Sequence, residues 1–178
     1  NRVREKEKKS IIEDFNLAAL PLNQQNAAVE RVLLCRQQRG LCPYTNKTIT
    51  EPTAKEGRDV EIDHIVPESR SHDNGLNNKI LCYRQANRGK GNKTPKEWLT
   101  PEQFNQVEQR MAHWEKGFPR KWENLHRDPQ DRDAFLNSQL TDTAYAAAQV
   151  GEYLREALYG HERDGKRRVF FTKGSYTA

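Results

Sequence analysis

The chain has 178 residues and a mass of 20.7 kDa, a size that suits one domain with appended segments. It contains no apolar run near the roughly 20 residues of a membrane-spanning helix, and its charged N-terminus lacks the apolar core of a signal peptide, so we expect a cytoplasmic protein with no membrane contact. A net charge of +5 and a pI near 9.1 favour a polyanionic partner such as nucleic acid, although an ordinary basic surface gives the same composition.

Two helices are predicted in the first 40 residues. Apolar residues between Ile11 and Leu20 form a helical stripe that Pro21 ends. A second helix is predicted from Asn26 up to Gly40, where a left-handed residue would stop it. The alternating charges before the first stripe are typical of a solvated helix face.

The middle of the chain has the pattern of a strand, a polar loop, a second strand and a helix. The predicted strands lie within residues 60–66 (VEIDHIV) and 79–83 (KILCY), and the helix begins near Gln85. Such a hairpin would fold the start of the helix back over the first strand.

Helical patterns dominate the remainder. Thr100 and Pro101 are typical of a capped helix start, and a long amphipathic helix is predicted over 133–160. The last segment, RRVFFTKGSYTA (167–178), has the composition of a strand. A lone strand cannot satisfy its own backbone groups, so we expect it to join a sheet outside this chain.

Asp63 and His64 are adjacent in the first strand, which places their side chains on opposite faces. Phosphodiester hydrolysis needs a base near neutral pH and a hard cation with oxygen ligands. His64, with an ordinary pKa of roughly 6.5, can accept a proton at pH 7, and Asp63 is a ligand of the type that Mg²⁺ prefers.

Asn87 begins the run Asn-Arg-Gly-Lys at the start of the predicted helix, where the hairpin would bring it near Asp63. Its side-chain oxygen suits Mg²⁺, and Lys90 could bind a phosphate as a point charge. Two structural readings remain open at this point: a satisfied Asp-His hydrogen bond, and an ordinary polar helix start.

The stretch DHIVPESRSHDNGLNNKILCYRQANRGK (63–90) resembles the HNH, or ββα-metal, nuclease motif of the RNA-guided type II CRISPR effectors, of the compact type II-C kind. QQRGLCPYTNKTI (37–49) resembles the turn before that family's first strand. FLNSQLTDTAYAAAQVGEYLREAL (135–158) resembles its outgoing linker helix, and 167–178 resembles the first strand of the returning RuvC-like segment.

The resemblance implies a mostly helical α+β fold with a ββα-metal core flanked by linker helices. The implied domains are an incoming helical linker at 1–25, the HNH nuclease domain at 26–132, the outgoing helix at 133–160 and the start of the RuvC-like segment at 161–178.

The resemblance also implies roles for five residues. Asp63 and Asn87 would be the metal ligands, His64 the general base and Asn78 the residue that braces the active-site loop, with Lys90 as a further catalytic residue. Mg²⁺ is the expected cofactor, with Mn²⁺ as a substitute. No structural zinc is expected, because the three cysteines (Cys35, Cys42 and Cys82) lack the paired CxxC spacing of a zinc knuckle and have the character of reduced packing residues.

The implied function is metal-dependent cleavage of the DNA target strand within a CRISPR effector. The implied partners are that strand, the guide RNA-DNA heteroduplex and the remainder of the effector, including its RuvC-like and recognition domains. Two alternatives remain: a free-standing HNH endonuclease of homing or phage type, against which the linker-like ends argue, and a catalytically silent nucleic-acid-binding module.

Overall fold

The structure, a computed structural model, describes residues 2–127 together with positions 150, 153 and 154. Over these residues the predicted fold class is confirmed: the chain is mostly helical and contains a two-stranded antiparallel sheet. No helix among the described residues is long and apolar enough to cross a membrane. Apart from three helical positions, the predicted segments 133–160 and 161–178 lie outside the described residues.

The chain divides into two compact units, Asn1–Pro129 and Gln130–Ala178. The elements below all belong to the first unit. Its helices are α1 (Arg2–Asp14), α2 (Leu22–Gln37), α3 (Glu51–Glu56), α4 (Glu68–Ser71), α5 (Arg84–Lys90), α6 (Pro95–Trp98), α7 (Pro101–Met111), α8 (Trp114–Gly117) and α9 (Pro119–His126), its strands are β1 (Val60–His64) and β2 (Lys79–Tyr83), and short 3-10 helices span Leu17–Ala19 and Leu76–Asn78.

The second helix, α2, starts earlier than predicted. It begins at Leu22, directly after Pro21, and not at Asn26. The intervening residues are compatible with a helix, and the Gln25 side chain anchors this first turn by donating to the carbonyl of Leu17 at 3.0 Å. The predicted domain boundary between residues 25 and 26 therefore falls inside α2, and the division into domains stays a prediction.

The ββα unit follows the predicted order. β1 pairs with β2 in a register that sets Val60 opposite Tyr83 and His64 opposite Lys79. α5 begins at Arg84, one residue before the predicted start, and leaves the second strand without an intervening loop. The hydrophobic core lies between this unit, α2 and α7, with Trp114 fully buried among them.

Side chains cover the outer edge of β2, which has no third strand to pair with among the described residues. The buried amide of Gln38 accepts from the Leu81 N–H at 2.6 Å and donates to the Leu81 carbonyl at 2.7 Å. Lys121 donates to the Lys79 carbonyl at 2.7 Å. These side-chain bonds take the place of the backbone hydrogen bonds that a third strand would make, so the small sheet can be buried.

The predicted capping of α7 is confirmed, because Thr100 and Gln103 form a reciprocal capping box. His113 and His126 are half-buried. His113 contacts the Gln37 carbonyl at 2.8 Å, and His126 contacts Glu108 at 2.6 Å. Their contacts come from distant parts of the chain, so local sequence did not indicate them.

The three cysteines are free and buried, which confirms their prediction as reduced packing residues. The Cys35 thiol donates to the Ile49 carbonyl at 3.1 Å. Burial, with a contribution from Glu51, raises the pKa of Cys35 to about 11. The thiol therefore stays protonated and unreactive at neutral pH.

Replacing Gln38 with Leu should lower the free energy of unfolding by about 2–6 kcal/mol, because the N–H and C=O of Leu81 would be left buried without partners at about 1–3 kcal/mol each. Urea unfolding measures this change. The matched control is Gln24→Leu, an exposed glutamine of α2, the helix that Gln38 directly follows; this variant should stay within about 0.5 kcal/mol of wild type. Equal effects of the two substitutions would contradict the edge-covering role of Gln38.

Candidate active site

Asp63 is a buried carboxylate with two hydrogen-bond donors. Its side chain is 5% exposed and receives the Lys90 ammonium on Oδ1 at 2.9 Å and the Tyr44 hydroxyl on Oδ2 at 2.8 Å. The Lys90 side chain is 1% exposed. An unpaired charge at this depth would be strongly destabilising, so Asp63 and Lys90 depend on each other.

The surroundings of Asp63 act on its pKa in opposite directions. Burial is the largest effect and raises the pKa of Asp63, whereas the Lys90 ammonium and the Tyr44 hydrogen bond lower it. Burial, together with the nearby Asp63 charge, also raises the pKa of Tyr44 well above its ordinary value. Tyr44 therefore keeps its proton and remains a donor to the carboxylate.

Asn87 lies on the same side of α5 as Lys90, one helical turn earlier. Its Nδ2 donates to Glu61 Oε1 at 2.9 Å, and Arg84 Nε lies 3.4 Å from the other oxygen of Glu61. Glu61 and Asp63 share a face of β1 because strand side chains alternate. Two contacts thus join α5 to that face, as the predicted hairpin requires.

His64 ends β1 and makes separate contacts from those of Asp63. Its Nε2 lies 3.1 Å from Asn74 Oδ1 and 3.8 Å from Glu68 Oε2, and its side chain is 22% exposed. The adjacent side chains therefore differ in solvent access, as strand alternation predicted. The His64 carbonyl accepts from Lys90 at 2.8 Å, so this lysine contacts both residues of the pair.

Asn78 is buried inside the loop that follows β1. Its Oδ1 accepts from the Val66 N–H at 2.9 Å, and its Nδ2 donates to the carbonyls of Val66 at 2.8 Å and Asp73 at 2.9 Å. Nδ2 also lies 3.3 Å from Ser71 Oγ. One amide therefore ties together the segment between His64 and Asn74. This is the geometry that a bracing residue needs, and its effect on activity stays a prediction.

The predicted phosphate contact of Lys90 does not fit this structure. The ammonium is buried and bonded to Asp63 and to the His64 carbonyl, so it presents no free donor at the surface. Gly89 leaves room for the Trp98 ring, which would lie 3.2 Å from a Cβ added at this position.

Three residues of the site were missed from the sequence: Glu61, Tyr44 and Asn74. The signal for Glu61 was present, because strand alternation puts it on the face of Asp63. Tyr44 lies 19 positions before Asp63, and Asn74 lies 10 positions after His64 in a polar loop, so only the folded chain brings them to the site.

The oxygen atoms near Asp63 suit a hard divalent cation. Glu61 and Asp63 supply carboxylates on one face of β1, and the Asn87 amide, whose Nδ2 donates to Glu61, lies beside them. Within the described part of the chain, no group of three or more His, Cys, Asp or Glu residues is placed to hold a metal ion. Any cation here would therefore combine carboxylate and amide oxygens with water, as Mg²⁺ does in proteins.

A basic groove of about 1040 Å³ opens beside this cluster. Tyr44 lines the groove and also bonds Asp63, so the two features adjoin. The cationic side chains that line it are Lys47, Arg58, Arg84, Arg88 and Arg110, against the single carboxylate of Asp59. Among the described residues, Lys47, Arg88 and Arg110 form no ion pair, which leaves the groove with uncompensated positive charge.

Comparison with known families finds a match for the ββα region. A family model described as HNH endonuclease matches residues 42–96, which include β1, the braced loop, β2 and α5. The match therefore covers every residue that the sequence predicted for the site.

Curated relatives extend the similarity beyond the ββα unit. The chain is 30% identical over 163 residues to the CRISPR-associated endonuclease Cas9 1 of Streptococcus thermophilus, and 30% identical over 164 residues to Cas9 of Staphylococcus aureus. These alignments cover 83% and 84% of this chain but only 14% and 15% of the relatives.

Solved structures of Cas9 proteins also resemble this chain. A crystal structure of Streptococcus thermophilus Cas9 in complex with the AGAA PAM matches 93% of this chain and 17% of its own, with a TM-score of 0.59 at 26% identity. The type II-C Cas9 of Actinomyces naeslundii matches 73% of this chain and 16% of its own, with a TM-score of 0.55; at 19% identity it supports the fold alone.

The mutual dependence of Asp63 and Lys90 can be measured. Lys90→Met should lower the free energy of unfolding by about 3–5 kcal/mol, because it leaves a buried carboxylate without its partner. Adding Asp63→Asn to that variant should recover much of the loss, since no charge then remains buried. A double-mutant cycle by urea unfolding tests this, and additive losses in the double variant would contradict the pairing.

Proposed function

Residues 42–96 belong to the HNH endonuclease family and are homologous to the HNH region of Cas9, and we propose that this chain hydrolyses phosphodiester bonds of a DNA strand in a metal-dependent reaction. The observation that supports this most is the joint position of Asp63, His64 and Asn87 on one ββα hairpin. The hairpin supplies oxygen ligands on one side of β1 and a solvent-accessible imidazole at its end.

The proposed substrate is the DNA strand that pairs with a guide RNA. The curated relatives are CRISPR-associated endonucleases, and in such effectors base pairing with the guide selects the sequence while the protein holds the heteroduplex by its backbone and shape. This chain spans a small part of those proteins, so its partners would include the remainder of the effector. The relatives come from bacteria, and the cytoplasm is the proposed compartment of the reaction.

Asp63 and Asn87 are the proposed ligands of the divalent cation, with Mg²⁺ as the natural ion and Mn²⁺ as a substitute. When bound, such an ion supplies positive charge that neutralises the phosphate and stabilises the charge of the reaction. In the arrangement described here, the Lys90 ammonium balances the Asp63 carboxylate. Lys90 is therefore assigned to positioning and charge balance, in place of the phosphate contact that the sequence suggested.

His64 is the proposed general base, and its contacts select the nitrogen that acts. Because Asn74 Oδ1 is an acceptor, the His64 Nε2 facing it at 3.1 Å carries the proton. The Nδ1 lone pair is then left to remove a proton from the attacking water. Glu68 Oε2 lies 3.8 Å from the same Nε2.

The basic groove is the proposed path of the DNA strand next to the site. Lys47, Arg88 and Arg110 carry charge that no carboxylate of the described residues balances. Phosphate binding there would release counterions and so contribute to affinity. Tyr44, Tyr83 and Trp98 also line the groove.

A silent nucleic-acid-binding module is the second candidate, and the Lys90-Asp63 ion pair is the observation that favours it. If this pair persists with metal present, Asp63 would not serve as a ligand. A supercoiled-plasmid nicking assay with and without Mg²⁺ or Mn²⁺ separates the candidates. Metal-dependent nicking supports the nuclease, whereas DNA binding without nicking, in the chain and in the complete effector, supports the silent module.

The proposed roles predict different defects for the three site residues. His64→Ala should leave metal affinity almost unchanged and lower the cleavage rate by about 10²- to 10⁴-fold, the usual contribution of a general base. Asp63→Ala and Asn87→Ala should each weaken metal binding by roughly tenfold or more, since loss of a residue that merely supports a ligand already costs about 10–100-fold.

Calorimetric titration with Mg²⁺ and Mn²⁺, alongside single-turnover cleavage in the guide-loaded effector, measures both quantities. Loss of metal binding in His64→Ala with normal binding in Asp63→Ala would reverse the assignment. Zinc that is retained stoichiometrically through dialysis against a chelator would contradict the preference for hard cations and the expectation of no structural zinc.

The groove predicts a salt-dependent defect in DNA binding. Lys47→Gln and Arg88→Gln should each weaken the binding of a single-stranded DNA and reduce the slope of log K against log salt by about 0.7. The matched control is Lys116→Gln, an exposed lysine of α8 that does not line the groove. Fluorescence anisotropy over a salt series measures these slopes, and an equal effect of the control would refute the proposed path.

A further inference from the structure

The lysine of α9 at position 121 lies inside the protein. The Lys121 side chain is completely buried, and its ammonium donates to the Lys79 carbonyl and to Gln37 Oε1, both at 2.7 Å. It also lies 5.3 Å from the centre of the Trp114 ring. Lys121 makes no ion pair with a described residue, so two oxygen atoms of uncharged groups and an aromatic face hold it in place.

Asn124 makes a second contact from the same face of α9, one helical turn later. Its side chain is buried, and its Nδ2 donates to the Asn77 carbonyl at 3.1 Å. Lys121 thus bonds the carbonyl of residue 79, and Asn124 bonds the carbonyl of residue 77. These two residues directly precede and follow Asn78 in the chain.

Asn78 lies between these two fixed points and reaches toward the active-site loop. Its backbone carbonyl accepts from the Ile65 N–H at 2.8 Å, and its side chain bonds both backbone groups of Val66. A shift of the backbone at 77–79 would therefore displace every bond by which Asn78 holds the residues after His64.

We propose that Lys121 and Asn124 form a clamp on residues 77–79 that positions Asn78 and, through the loop it braces, the imidazole of His64. α9 is then a positioning element of the active site, although neither side chain contacts His64 or the predicted metal ligands. The expected effect of this clamp on cleavage rests on the function proposed above, whereas its expected effect on the loop is independent of that function.

The choice of side chains supports a positioning role. Burial lowers the pKa of Lys121 to about 7, so an ammonium at this position is costly, and an apolar residue would fill the same space without that cost. What a methionine could not supply is the pair of hydrogen bonds to Gln37 and to the start of β2. Lys121 thus links the end of α2 to the strand residue that pairs with His64.

Hydrogen exchange of the intact 178-residue chain tests the clamp without any measurement of activity. Lys121→Met and Asn124→Ala should lower the protection of the Val66 and Ile65 amides by about tenfold more than that of amides in α2, because a lost hydrogen bond opens this loop before the core. The side-chain amide signals of Asn78 should also shift in NMR spectra. Glu123→Ala, an exposed substitution on the same helix, should change neither quantity.

A core control separates positioning from general destabilisation. Val29→Ala, in the buried face of α2, should lower the protection of the loop and core amides to the same extent. If both clamp variants behave like Val29→Ala and leave the Asn78 signals in place, the clamp is refuted. If Lys121→Met fails to fold, Asn124→Ala alone decides between these outcomes.

Cleavage assays give an independent second readout. With the clamp loosened, the guide-loaded effector should lose cleavage rate while its metal affinity stays at the wild-type value, because the Asp63 and Asn87 contacts do not pass through α9. Wild-type protein that cleaves no DNA with any metal would contradict the proposed function and leave the exchange result for the loop standing.

Discussion

The buried charge of Asp63 is the constraint from which the arrangement of the site follows. A carboxylate that is 5% exposed needs a cationic partner, and the ammonium of Lys90 supplies it from the last turn of α5. That contact sets α5 across β1, and Asn87, one turn earlier, then reaches Glu61 on the same strand. The position of both proposed ligands thus depends on an ion pair that is almost completely shielded from solvent.

The small size of the sheet explains why so many polar residues are buried around it. Two strands alone are marginally stable in water, and β2 is almost entirely buried. Gln38 and Lys121 satisfy its outer edge with side-chain hydrogen bonds, and Asn78 satisfies the loop between the strands. In the proposed clamp, the Lys121 bond that covers this edge also holds the residue next to Asn78, so stability and site geometry are coupled in this unit.

The sequence predicted those features that depend on local pattern. Strand alternation and turn residues were sufficient for β1, β2, the start of α5 and the different surroundings of Asp63 and His64. The burial of Lys90 and Lys121 depends instead on tertiary packing. Lys90 follows a glycine, and its sequence neighbours do not distinguish it from an exposed lysine, so it was predicted to bind a phosphate at the surface. Only in the folded chain does Lys90 contact the buried Asp63, which also accepts a hydrogen bond from Tyr44. Lys121 follows another cation, Arg120, and only the face of α9 that contacts residues 77 and 79 determines which of the two is buried.

The central claim is that Asp63 and Asn87 hold the cation beside His64, and paramagnetic broadening by Mn²⁺ tests it most directly. In NMR spectra of the intact chain, trace Mn²⁺ should first broaden the amide signals around Asp63 and Asn87, at the end of β1 and in α5, and Asp63→Ala should abolish this effect. Broadening that begins at the glutamate-rich α1, or that persists unchanged in Asp63→Ala, would contradict the assignment of the metal site.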